Sequence, residues 1–132
     1  MINKFLNDFG IEQQIFYADF SWDVLLKLMP KTPLFKEIAK FPKVKRDLAL
    51  LVDKNTKFSD IKELAFKTER KLLKEVSIFD VYEGKNIPEG KKSYAVSFMI
   101  QDDFKTLKDK QIDKIMNKLI QIFDKELGAK VR

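Results

Sequence analysis

Beyond residue 40 the chain passes through six segments whose hydrophobic period switches in a fixed order, and that order leaves few folds open to it. The run RDLALLVD, residues 46–53, repeats every second residue, as a pleated strand requires. Ile61, Leu64, Ala65, Thr68 and Leu72 then recur at helical spacing behind Ser59 and Asp60, either of which can cap a helix. VSIFDVYE and KSYAVSFMIQ are two further strands around the loop GKNIPEG. A second amphipathic helix places Ile112, Ile115, Met116, Leu119, Phe123 and Leu127 on one face, and Gly128 ends it. The last four residues, AKVR, supply a short edge strand. The order β-α-β-β-α-β predicts an α+β, ferredoxin-like split β-α-β fold. In it a four-stranded antiparallel sheet carries two helices on one face and leaves the other bare.

Three of the four prolines, Pro30, Pro33 and Pro42, fall in the stretch PKTPLFKEIAKFP, where lost backbone donors and fixed φ angles keep the chain extended. This marks a boundary. Ahead of it, IEQQIFYADF has strand character, and Ser21 is placed to cap a short helix, SWDVLLKLM, that Pro30 stops. One strand and one short helix cannot enclose a core. Residues 1–39 therefore read as the C-terminal remnant of a preceding domain plus a linker, and residues 40–132 as the ferredoxin-like domain.

Composition removes most chemistry. The 132 residues include no cysteine and no histidine, which excludes disulfides, thiolate nucleophiles, cysteine zinc sites and the commonest general base. The acidic residues lie scattered among lysines without ligand-like spacing, so no catalytic residue and no metal site is expected. No apolar run approaches the roughly 18 residues of a spanning helix, and no basic-then-apolar signal opens the chain. The expectation is a cytoplasmic protein with no membrane partner. Charge is uneven: residues 1–39 hold four Lys/Arg against five Asp/Glu, net −1, whereas residues 40–132 hold 22 against 15, net +7. A basic excess of that kind suits a polyanion such as nucleic acid, although lysine-rich surfaces also arise for solubility alone.

Alternation sorts the strands into two faces. Leu48, Leu50 and Val52 share a side with Tyr94, Val96, Phe98 and Ile100, and this large set must meet the helices. The same rule sends Phe79 and Val81 inward and leaves Ile78, Asp80 and Tyr82 on the bare face. There a floor of Ala49, Ser93, Ala95 and Ser97 lets a planar group approach, Tyr82 offers a ring to stack on, and Asp80 can accept from the amino edge of guanine or cytosine. Lys85, Lys91 and Lys92 flank the hairpin turn as possible phosphate contacts. Lys110, Lys114 and Lys118 read as the wet side of the second helix.

The stretches FPKVKRDLALLVD, FDVYEGKNIPEGKKSYAVSFMIQ and KTLKDKQID resemble, in order and spacing, the anticodon-binding domain that closes the β subunit of bacterial phenylalanyl-tRNA synthetases. FGIEQQIFYADFSWDVLL likewise resembles the end of the catalytic-like domain preceding it there. The resemblance implies a ferredoxin-like fold whose open face contacts the anticodon loop of tRNA(Phe), chiefly its first base, a guanine. It places the stacking tyrosine at Tyr82, the neighbouring acid at Asp80, a small residue at Ala49 and a serine at Ser93. It also implies a non-catalytic part of a ligase whose ATP and magnesium (Mg) are bound by the alpha subunit of an alpha2-beta2 assembly. Lys108 stands where the family starts its last helix with threonine, so the cap is expected from Asp109 or Thr106. Arg46 and Asp47 are expected to form a structural ion pair, and the terminal strand is short for secure pairing.

Other families of this fold fit less well. An RNA-recognition motif should expose aromatics from its third strand, and here Tyr94 and Phe98 face inward. The turn DKNTKFS has neither the glycine of a ligand-sensing domain nor the arginine of an acylphosphatase cradle. The remaining alternative is a structural or assembly module that binds no RNA.

Overall fold

Two strands alternate large and small residues most cleanly, and they form the centre of the sheet. β1 (Val44–Asp53) and β3 (Lys91–Ile100) pair antiparallel over their full length, from Val44 opposite Ile100 to Asp53 opposite Lys91. β2 (Leu73–Tyr82) pairs with the free side of β3, and β4 (Lys130–Val131) with Leu50 and Leu51 of β1. The strand order is β2-β3-β1-β4, all neighbours antiparallel, as the ferredoxin-like order requires. The short terminal strand thus does find a partner. This computed structural model describes residues 8–10, 15–29, 35 and 38–132.

The chain divides into two compact units, Met1–Glu37 and Ile38–Arg132. In the first, α1 (Trp22–Leu28) forms where the sequence predicts a short helix, but none of its residues is buried and the Ser21 side chain makes no capping bond. Residues 15–20 form no strand. A strand needs a neighbour for its backbone groups, and the described residues of this unit offer none. Residues 11–14 of the expected strand, and Pro30, lie outside the described residues.

In the second unit, α2 (Phe58–Thr68) and α3 (Asp109–Leu127) cover one face of the sheet. Leu50, Val52, Val76, Val96, Phe98 and Ile100 meet Ile61 and Ala65 of α2 and Ile112, Leu119 and Phe123 of α3. Phe98 and Phe123 are the largest fully buried side chains, with ring centroids 6.0 Å apart. Tyr94 is also buried; its hydroxyl donates to the Thr56 carbonyl at 3.1 Å and its ring meets the edge of Phe58. Gln101 closes the chain entrance, its side-chain amide donating to the Phe41 carbonyl at 2.6 Å.

The helix starts differ from expectation in a shared way. α2 begins at Phe58 with Lys57 as its N-cap, so Ser59 and Asp60 lie inside the first turn; the Asp60 carboxylate accepts from the Lys57 N–H at 3.2 Å. α3 has Lys108 at its N-cap, and the Gln111 side-chain oxygen accepts from the Lys108 N–H at 3.2 Å. Neither Asp109 nor Thr106 is the cap. A lysine side chain has no acceptor, so the third residue of each helix reaches back to the cap backbone instead. At the far end Gly128 adopts φ 59°, and Ala129 donates to the Phe123 carbonyl at 3.1 Å, the closed turn that the sequence predicted.

Two further expectations are corrected by geometry. Arg46 and Asp47 are neighbours on a strand and so point to opposite faces. Arg46 reaches Asp109 in the first turn of α3 at 3.7 Å, and Asp47 lies 3.6 Å from Lys45. In β2 the register slips between Ile78, opposite Val96, and Asp80, opposite Ala95. Two steps along β2 match one step along β3, so Phe79 is the extra residue of a β-bulge. Ile78 therefore stays on the helix side, packed against the core, and Phe79 turns out to the open face, 60% exposed. Val81 keeps its expected side, opposite Tyr94, but is half exposed at the sheet edge.

Candidate nucleic-acid interface

The open face is built in rows across the strands. Tyr82 stands opposite Ser93, which stands opposite Leu51; in the adjacent row Asp80 stands opposite Ala95, which stands opposite Ala49. The bulge at Phe79 restores the alternation that puts Asp80 and Tyr82 on this side. Tyr82, Asp80, Ala49 and Ser93 are thus brought together within two neighbouring rows. Tyr82 is 41% exposed and Asp80 exposed, while Ala49 is half-buried and Ser93 only 7% exposed. A planar group lowered onto this surface meets the ring and the carboxylate first, then the small floor.

Gly84 sets the position of the Tyr82 ring. A Cβ on Gly84 would stand 2.5 Å from the Tyr82 hydroxyl oxygen and 2.7 Å from Cζ, so only glycine leaves the ring room to lie there. On the opposite edge, Arg132 continues the parity of β4: its N–H donates to the Ala49 carbonyl at 2.9 Å. Its guanidinium carbon lies 6.0 Å from the Tyr82 ring centroid. Since β4 and β2 are the two edges of the sheet, the Arg132 and Tyr82 side chains meet above the small residues of β1 and β3.

Sequence reasoning missed Arg132 and Phe79. The first could have been found by extending alternation one residue past Val131, which opposes Leu50 of the core. The second carried no signal, for VSIFDVYE contains no glycine or proline to mark a bulge. On this face Phe79 has the Lys45 ammonium 5.5 Å from its ring centroid.

The candidate phosphate contacts are dispersed. Lys85 is exposed in the β2–β3 loop. Lys91 is held by Asp53 at 2.7 Å. Lys92 opposes Val52 on the helix side, its ammonium 4.7 Å from the Tyr94 ring, and so does not join the other residues. Of the helical lysines, Lys118 donates to the Thr68 carbonyl at 2.9 Å and ties α3 to the end of α2.

Fold and face together define an α+β ferredoxin-like domain with α2 and α3 on one side of its sheet and Tyr82, Asp80, Ala49 and Ser93 on the other. Residues 39–132 match the family described as the ferredoxin-fold anticodon binding domain, and the chain belongs to that family. Over 130 residues it is 56% identical to the phenylalanine–tRNA ligase beta subunit of Bacteroides thetaiotaomicron and 55% identical to that of Bacteroides fragilis. The beta subunit of Porphyromonas gingivalis is 48% identical over the same length. Each alignment covers 98% of this chain and 16% of the relative, so the chain spans about a sixth of the length of these curated relatives.

Proposed function

We propose that this chain is the anticodon-binding part of a phenylalanine–tRNA ligase beta subunit and that its open sheet face takes the first anticodon base of tRNA(Phe). The observation that supports this reading is the grouping of an exposed ring, an exposed carboxylate and a small-residue floor on the sheet face opposite α2 and α3. The base stacks on Tyr82, worth about 1–3 kcal/mol for an aromatic platform. The Asp80 carboxylate accepts from the amino edge of guanine, Ala49 and Ala95 leave space beneath the base, and Ser93 is reached only by a group seated on the floor. The Arg132 guanidinium faces the ring from the other side and closes the site over a bound base.

In this reading residues 1–39 are the end of the preceding domain, whose remainder covers the exposed side chains of α1. The enzyme is cytoplasmic, and the chemistry of aminoacylation belongs to the alpha subunit, with ATP and magnesium. Among the described residues no three acidic side chains gather as a metal ligand set. This chain's own contribution is to hold the anticodon loop in a fixed place.

Titration of the chain with a tRNA(Phe) anticodon stem-loop, and with one altered at the first anticodon base, tests the proposal. The cognate loop should bind more tightly, and Tyr82→Ala should erase the difference while Lys110→Ala leaves it. Equal affinity of the wild-type chain for both loops would remove base reading and favour an assembly module.

A further inference from the structure

The bulge in β2 presents an apolar ring to solvent on the same face as Tyr82. Phe79 is 60% exposed although Ile78 beside it packs against the core, so its exposure is a consequence of the extra residue and not of a missing core. Its neighbour is a cation: the Lys45 ammonium lies 5.5 Å from the ring centroid and 3.6 Å from the Asp47 carboxylate, an ion pair too long for a good hydrogen bond. Such a lysine can turn to an incoming anion at little cost. A ring for a planar group and a mobile ammonium for a negative one are together complementary to a nucleotide, which brings both.

We infer that Phe79 and Lys45 form a second stacking subsite, which holds a nucleotide adjacent to the one at Tyr82. This rests on the RNA reading of the open face and extends it from one base to two. Spacing separates the two positions. The bulge fits two steps of β2 into one step of β3, so Phe79 and Tyr82 stand between two and three strand steps apart, roughly 7–10 Å. That is about two to three times the 3.4 Å rise between stacked bases. One base cannot serve both rings, and two neighbouring bases serve them only when unstacked from each other, as in a splayed anticodon loop. Asp80, between the rings, keeps phosphates away from the centre, so the backbone passes on the Lys45 side.

The test uses the 132-residue chain with three stem-loop RNAs: the cognate loop and loops made abasic at the nucleotide before or after the first anticodon base. Phe79→Ala should weaken the cognate loop about five- to hundred-fold, and Phe79→Tyr should restore it. Preference for the cognate first base should survive. On one of the abasic loops the wild-type chain should itself bind weakly and Phe79→Ala should cost nothing more. Thermal melting checks that the variants fold. If Tyr82→Ala weakens binding while Phe79→Ala matches wild type, the subsite is refuted and the Tyr82 site stands. A Phe79→Ala loss of equal size on all three loops likewise refutes it. If neither substitution changes binding, or the wild-type chain binds no loop, the open-face reading fails and the subsite goes with it.

Discussion

At the scale of single residues, Gly84 matters to Tyr82 without touching any ligand. Alanine there costs little stability, since the clash is with the end of a side chain that can swing away, but swinging moves the ring off its platform position. Gly84→Ala should therefore change unfolding free energy by less than about 1 kcal/mol while weakening stem-loop binding, read by denaturant melts and a binding isotherm on the same preparation. Alternation found the positions of Tyr82 and Asp80 on the open face because the pairing runs in regular register from Asp80 opposite Ala95 to Tyr82 opposite Ser93. It failed at Ile78 and Phe79 because a bulge adds a single residue, and nothing in the side chains of SIFDV announces one. It also cannot show burial. Ser93 has the right parity, yet its neighbours leave it almost no exposure.

At the scale of elements, the helices were legible in their apolar faces and less so in their ends. Ile112, Ile115, Met116, Leu119 and Phe123 are all buried as their spacing requires. The starts lie one to three residues from the expected caps because Ser, Thr, Asp and Asn are the residues that ordinarily accept there, while both helices have lysine at the cap and borrow an acceptor from the third helical residue. α3 thus has half of a capping box. Lys108→Ser would add the missing half, a hydroxyl accepting from the Gln111 N–H, and should raise stability by about 0.5–1 kcal/mol. A shift of the urea midpoint at unchanged slope measures it. Arg46 belongs to this scale as well: its ion pair with Asp109 joins β1 to the start of α3, which the sequence could not show because the partners are 63 positions apart.

At the scale of the whole molecule, the charge divides as the contact units do, with the basic excess of net +7 in residues 40–132. On the proposed reading, lysines near the open face would release counterions from bound RNA, and affinity should fall linearly as salt rises on logarithmic axes. Lys45→Ala should flatten that slope by about 0.7, the value for one contact to a single strand, while Lys118→Ala, whose ammonium is committed to Thr68, should leave it unchanged. The β-α-β-β-α-β topology was legible because each switch of period fixes an element. In the first unit the short helix at Trp22–Leu28 was legible and the strand was not, because residues 15–20 have no partner strand among the described residues.

The central claim is that the sheet face opposite α2 and α3 receives the RNA. Backbone amide chemical shifts, followed as the cognate anticodon stem-loop is added to the labelled chain, test it most directly. The largest changes should fall on Ala49, Phe79, Asp80, Tyr82 and Ser93, with α2 and the outer side of α3 nearly still. Changes confined to the helices, or spread evenly over the surface, would contradict it.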